Sequence, residues 1–358
     1  MAAPDGRSAA RERGSATDVA GVVVLGGCAV WSLISAVGRE ARPEGVLLAV
    51  FAVAAGYAVG RISGTLLPVA AASAAALAAL GLAIASRQGV PGANAGAPEQ
   101  PGHTGAAAAL LVLAAGAACC AAAAARPAGL RLGLRMLALA VACTALALGS
   151  VPAFAAALGV LLCSLAAIRM DRRSVALGGL AVATGLVVAT SWGIAEDALP
   201  DGLTVSLEGQ LTQNRVALWQ DALALAKDEP VRGVGPDRFG QLSTTAQQSL
   251  GSDGKPHSAS LQQAADQGVV GVALLGAAFC WMLYGLWRSP RSTAVVLSAG
   301  AALTALAVLA NLGNALSFAP VTAGAGLLAG LATARVASGG SSESGDHTLS
   351  TAEDIPAR

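Results

Sequence analysis

The chain has 358 residues, of which 55% are hydrophobic and only 12% charged, and its formal net charge is +1. This balance places it in the membrane class and excludes an ordinary soluble or disordered protein. With near-neutral charge and no extended basic run, nothing points to nucleic acid as a partner.

Alanine, glycine, leucine and valine supply most of the apolar content, so helices can approach closely through small residues. Residues 1–18 are polar, carry Arg7, Arg11 and Arg13, and read as a disordered cytoplasmic tail. Apolar runs then follow at Val19–Val37, Gly45–Gly60, Thr65–Ala85, Gly105–Ala125, Leu132–Gly149, Val151–Ile168 and Val175–Ile194. After a long polar interruption come Gly268–Trp287, Thr293–Ala310 and Ala319–Val336. Each approaches the length needed to cross roughly 30 Å of hydrocarbon. The expected fold is all-α, a polytopic transmembrane helical bundle of about ten spans. Spans one to seven occupy 19–194, a large outer loop 195–267, spans eight to ten 268–336, and a Ser/Gly/acidic tail, also read as disordered, 337–358.

Charge sets the orientation. With the N-terminus inside, the inner side collects Arg61, Arg126, Arg131, Arg135, Arg169, Arg172, Arg173, Arg288, Arg291 and Arg335, whereas the short outer loops hold Arg39, Arg42 and Arg87. This positive-inside bias predicts a multi-pass protein of the plasma (inner) membrane with both termini cytoplasmic and 195–267 on the outer face. The Pro/Gly-rich segment Arg87–Thr104, with His103, reads as a flexible outer loop, and His347 as a solvated side chain. The six cysteines lie inside apolar runs without C-x-x-C spacing, and read as small buried hydrophobes rather than disulfides or metal ligands.

The polar stretch Leu211–Val272 stands apart. Its first part has Val216, Trp219, Leu223 and Ala226 on one stripe, widened by Leu218, Ala222 and Leu225, which predicts an amphipathic helix over Gln213–Lys227 lying along the membrane surface. Pro230 stops that helix, and Gly233-Val234-Gly235-Pro236 predicts a tight turn. His257 then opens a second helical run that continues into a span. Arg215 falls in the first helical turn, where backbone amides already carry partial positive charge. Either its stem covers apolar surface while the charge stays in water, or it converges with those amides on a bound anion.

The combination of R-x-x-x-W, P-x-x-G-x-G-P, and a His opening a helix that ends in G-x-x-G resembles the O-antigen ligase and polymerase family, over Asn214 to Gly271. The resemblance implies an integral-membrane glycosyltransferase that moves a glycan from a polyprenyl-diphosphate carrier to an acceptor hydroxyl, a ligase or polymerase of surface polysaccharide. It implies catalytic roles for Arg215, as the diphosphate clamp, and His257, as the base. Always-charged Arg suits paired bonds to phosphate, and a His titrates near working pH. Trp219 is either an interfacial anchor or a sugar platform. Arg232 and Arg238, flanking the turn, are solvated charges or further phosphate contacts. With no D-x-D pair, and with Asp237, Asp253 and Asp266 isolated in sequence, no metal or other cofactor is expected. The implied partners are the lipid-linked glycan, a glycan or lipid acceptor, membrane lipids and polysaccharide-assembly proteins.

The chain also departs from the family. Val151 stands where members commonly carry the Arg of a Ser-Arg pair, Ser258 replaces the usual Asn after the His, and Asp266-Gln267 replaces the usual Glu before the glycine. These departures keep open a non-catalytic membrane subunit that binds lipid-linked glycan without turning it over. A transporter is disfavoured, because the spans hold almost no mid-membrane charge apart from Arg135, near one end.

Overall fold

A computed structural model describes residues 6–88, 103–170, 172–198, 213–248 and 253–335, with backbone alone for 6–15, 87–88 and 103–104. The Pro/Gly-rich segment at 89–102, the start of the large loop at 199–212 and the tail 337–358 lie outside the described residues. All regular structure within them is helical. The helices are α1 (Gly6–Ala36), α2 (Glu44–Leu66), α3 (Pro68–Gln88), α4 (His103–Ala124), α5 (Ala128–Ala147), α6 (Val151–Ala166) and α7 (Arg173–Ala195). The large loop contributes α8 (Gln213–Asp228), α9 (Phe239–Leu242) and α10 (Thr244–Gln248), and the chain continues through α11 (Ala259–Trp287), α12 (Thr293–Asn311) and α13 (Ala319–Thr333).

Among the described residues nine helices are long and apolar enough to cross a membrane, and the chain is a multi-pass membrane protein. The tenth expected span is α13, with 15 residues. At 1.5 Å per residue it is about 22 Å long, short of the hydrocarbon thickness. It is held by glycine instead: a Cβ on Gly56 would lie 2.1 Å from the Ala323 carbonyl oxygen, and one on Gly326 2.2 Å from that of Val53. Backbone therefore meets backbone between α2 and α13, the close approach that small residues permit. The bundle is centred on α4, an Ala-rich helix buried on nearly every side by α3, α5, α6, α12 and α13.

Several boundaries differ from the sequence reading. Helix α1 begins at Gly6, so the polar stretch read as a tail is helical from there. Asp18 on it accepts from Tyr57 Oη at 3.0 Å and pairs with Arg61 at 3.1 Å, so its charge need not leave the bundle. Arg61, expected to end span two, lies within α2 for the same reason, its other nitrogen donating to the Thr333 carbonyl. Cys143, Cys163 and Cys280 are exposed rather than buried, on outward faces of α5, α6 and α11 where a lipid-facing apolar side chain carries no penalty.

The two ends of the bundle differ in kind. One gathers Asp18, Arg61, Arg173 and Arg291, whose guanidinium groups bind the carbonyls of Thr333, Ser289, Ala334 and Gly64. The other carries the large loop, the α1–α2 connection with Arg39 and Arg42, and the α12–α13 connection with Asn314.

Candidate active site

The loop has a core of its own. Leu218, Trp219, Ala222 and Leu223 of α8 pack with Phe239, Ala246, Leu261 and Ala265, and with Ala195 at the end of α7. The apolar stripe is thus closed by protein, on α7, α10 and α11, rather than laid on a membrane surface, and its centre lies at Leu218–Leu223, with Val216 and Ala226 only half-buried. Elsewhere on α8, Asp221 accepts from Ser243 Oγ at 2.6 Å and the Thr245 amide at 3.0 Å, while Ser243 Oγ caps the Ala246 amide. These bonds tie α8 to the start of α10. Burial pushes the Asp221 carboxyl up, but the hydrogen bonds from Ser243, Thr245 and Thr244 outweigh it and hold the carboxyl below its ordinary range.

The turn at Gly233–Pro236 has a defined target. Helix α11 is broken at Gly268, whose φ is 67°. Such a break strands backbone carbonyls that must find donors. The Val234 amide donates to Ala265 O at 2.8 Å, the Gly235 amide to Asp266 O at 2.9 Å, and the Trp31 indole to Gln267 O at 3.0 Å. In return the Val269 amide donates to Pro230 O at 2.8 Å. A Cβ on Gly233 would lie 2.5 Å from the Ala265 carbonyl oxygen, so only glycine lets the turn seat on the break. The sequence reading placed a span boundary at Gly268, and that is where the loop-borne part of α11 meets the spanning part.

Each predicted site residue can now be placed. Arg215, in the first turn of α8, is half-buried, and its guanidinium makes no hydrogen bond or ion pair with other described residues. Burial pulls its pKa below the ordinary value, yet a guanidinium stays cationic. His257 precedes α11 with a left-handed backbone, φ 55°. Its Nε2 lies 3.1 Å from Asp253 Oδ1, and both side chains are largely buried. Asp253, taken as isolated from spacing alone, is therefore the partner of His257. Burial pushes the Asp253 carboxyl up, but the hydrogen bond and charge of His257, with the Lys255 amide, outweigh it and leave it below the ordinary range.

Trp219 is neither a membrane-interface anchor nor a sugar platform. It is 0% exposed, and its indole donates to the Pro256 carbonyl at 2.8 Å. Trp219 lies one helical turn beyond Arg215, and Pro256 adjoins His257, so this bond ties the segments that bear the two residues. Arg232 is not a free cation either. Its Nη2 donates to Ile34 O at 2.7 Å and Val37 O at 3.2 Å, clasping carbonyls at the end of α1 and just beyond it. Arg238 uses Nη1 on Val234 O at 3.2 Å, while its Nε is buried without a partner among the described residues. The chain just beyond it packs on the turn before His257, since a Cβ on Gly240 would lie 2.8 Å from Gly254 Cα. Sequence reasoning missed Arg39, which binds the Gly233 carbonyl and pairs with Glu229 at 3.4 Å. Val151 is an exposed apolar residue at the start of α6 and contributes no charge. Among the described residues, no three His, Cys, Asp or Glu side chains are grouped to hold a metal.

Compared with known proteins, residues 136–276 match the model of a family described as O-Antigen ligase. The match begins within α5, spans the whole loop and ends past the break at Gly268, so it contains Arg215, Asp253 and His257. No curated protein matches the chain.

Proposed function

We propose that this O-antigen ligase-like membrane protein transfers a glycan from a polyprenyl-diphosphate carrier to an acceptor hydroxyl, with Arg215 and His257 as the catalytic pair. Membership of a glycan-ligase type rests on the match over residues 136–276. The site assignment rests on one observation above others. The Trp219–Pro256 bond ties α8 to the residue before His257, and Arg215, one turn earlier on α8, is half-buried with no partner among the described residues. A desolvated, unpaired guanidinium is costly unless it serves a ligand. A diphosphate supplies the missing charge and the planar acceptor geometry.

In the proposed step His257 takes the proton of the acceptor hydroxyl. The hydroxyl oxygen forms the new bond to the sugar's anomeric carbon. The bond from that carbon to the carrier oxygen breaks, and the electron pair leaves on the diphosphate, where Arg215 and the positive N-terminal end of α8 stabilise it. Arg238 is placed as a second phosphate contact, and the reaction runs without a metal. The loop faces the outer side of the plasma membrane, with both termini cytoplasmic, as the arginine distribution supports.

The deciding assay uses the purified full-length protein and polyprenyl-diphosphate-linked glycan extracted from the source membranes. Arg215→Ala and His257→Ala each lower transfer by at least about 100-fold while leaving a folded protein, and chelator leaves the wild type unaffected. Arg215→Lys rescues poorly, because an ammonium lacks the planar fork. Full activity in His257→Ala would remove the base assignment and leave a glycan-binding subunit as the better reading. Reporter fusions after Lys255 report the outer face and after Arg288 the cytoplasm; a cytoplasmic signal at Lys255 overturns the topology.

A further inference from the structure

The base of a transfer reaction must hold one nitrogen free and lone-pair-first towards the acceptor, and a histidine alone in a loop does neither. We propose that Asp253 is the positioning residue for His257, holding the imidazole through Nε2 and presenting Nδ1 as the base nitrogen, with Asn314 and Ser317 fixing Asp253 from the membrane bundle. The proposal deepens the assignment of His257 and rests on it.

The geometry runs through five residues on two segments, 253–257 and 314–317. His257 Nε2–H donates to Asp253 Oδ1 at 3.1 Å. The same oxygen accepts from the Lys255 amide at 3.3 Å. The second oxygen, Oδ2, accepts from Asn314 Nδ2 at 3.4 Å, across 61 residues of chain. The amide of Asn314 is itself oriented, because its Oδ1 accepts from Ser317 Oγ. That leaves Nδ2 as the only group it can turn to the carboxylate. Asn314 is buried, and Asp253 is 17% exposed. A carboxylate with both oxygens engaged can neither rotate nor drift.

Two further features fit a device for aiming a side chain rather than a solvated turn. His257 carries φ 55°, a backbone region costly for a residue with a Cβ, and such outliers persist only where surrounding structure enforces them. The residues on either side enforce it: the buried Pro256 is bonded by Trp219, and the buried Ser258 lies 3.4 Å from Ser260 Oγ, which accepts from the Trp192 indole at 3.2 Å. With Nε2–H donated to a carboxylate, the neutral imidazole is fixed in one tautomer, and Nδ1 keeps its lone pair for the acceptor's proton. Once protonated, the imidazolium is stabilised by the adjacent carboxylate.

The test reads tautomer and turnover on the full-length protein. The chain holds three histidines, so His103→Gln and His347→Gln leave His257 as the only 15N-histidine signal. In that background the spectrum shows the Nε2–H form. Asp253→Asn presents an amide N–H instead and shifts the population to Nδ1–H. With extracted lipid-linked glycan as donor, kcat falls at least about 100-fold at unchanged donor KM, a loss of the kind seen when a base is held in the wrong tautomer. Asn314→Ala, which leaves the carboxylate in place but unanchored, lowers kcat several-fold, and Asp253→Glu restores part of the Asp253→Asn loss. An unchanged tautomer with unchanged kcat in Asp253→Asn overturns the proposal while leaving His257 as the base. Full turnover in His257→Ala overturns both, and the two failures are thereby told apart.

Discussion

The indole of Trp219 donates to the carbonyl of Pro256 at 2.8 Å, and through that bond one turn of α8 is fixed to the residue before His257. Neither end has another way to be satisfied, since both residues are fully buried. Trp219→Phe keeps most of the volume but leaves the Pro256 carbonyl unpaired, a cost of about 1–3 kcal/mol. Trp219→Ala adds a cavity, for a total of about 3–5 kcal/mol. Thermal unfolding in detergent ranks them wild type, Phe, Ala, and the Phe protein loses transfer activity out of proportion to its modest drop in Tm. Gln220→Asp, on the exposed side of the same helix, is neutral in both measurements. Equal Tm values for all four proteins would mean that α8 does not bury this face.

Arg232 and Arg238 look equivalent in sequence, one on each side of the turn, but their surroundings predict opposite phenotypes. Arg232→Ala uncouples the turn from the end of α1 by removing the donor to Ile34 and Val37. It lowers stability by about 1–2 kcal/mol with near-normal turnover per folded molecule. Arg238→Ala removes one bond to Val234 on the loop's own turn, leaves Tm close to wild type, and raises the donor KM or lowers turnover by about tenfold. Melting curves and transfer kinetics on the two purified variants separate the roles. The reverse pattern would make Arg232 the phosphate contact.

Asp221 gives a prediction in pH. Its folded-state pKa is held down by the donors at Ser243, Thr245 and Thr244, so its contribution is fully present above the unfolded carboxylate value, about 3.9, and fades as pH falls through the lower folded value. Asp221→Asn therefore destabilises the loop at pH 7 by about 1 kcal/mol, the scale of a lost helix cap. The difference from wild type narrows as pH falls below the unfolded carboxylate value and through the lower folded one. Protease resistance of the loop from about pH 7 downwards is the readout, and a gap that does not narrow with falling pH means the charge is not the contributor.

What the sequence made legible follows its periodicity. The spans, the helix at Gln213–Asp228 and the turn at Gly233–Pro236 all declare themselves through local pattern, because their apolar spacing or Gly/Pro content acts within a few residues. Arg215 and His257 were found as members of a motif. Their partners were not, because partnership here is a tertiary property. Asp253 precedes His257 in a turn, where spacing carries no facing rule of the kind a helix has, and Asn314 reaches it from another connection of the bundle. Trp219 was misplaced for a related reason. An amphipathic stripe shows that a face is buried without saying by what, and here protein closes the stripe. Arg61 was read as the end of a span because an arginine in an apolar run looks unpaired until Asp18 is brought beside it.

The last prediction concerns the break in α11. Gly268 stands at φ 67°, and a Cβ there would lie 2.3 Å from the Val231 carbonyl oxygen. Alanine at this position meets two penalties. It enters a left-handed conformation that costs an L-residue roughly 1–2 kcal/mol, and it drives the Pro230–Val231 backbone off its seat. If the chain instead relaxes by straightening α11, the carbonyls of Ala265 and Asp266 return to intrahelical amides, and Val234 and Gly235 lose their acceptors. Either way the turn is displaced and the residues it positions move with it. Gly276 lies further along the same helix with open space around its Cβ position, so Gly276→Ala is stabilising by up to about 1 kcal/mol through helix propensity alone. Gly268→Ala thus lowers Tm and abolishes transfer, Gly276→Ala preserves both, and Gly233→Ala resembles Gly268→Ala because it strikes the same contact from the other side. The double variant Gly233→Ala/Gly268→Ala loses less than the two single losses combined, since the contact can be broken only once. Additive losses would show that turn and break are independent, and the packing that carries His257 into its span would then need another explanation.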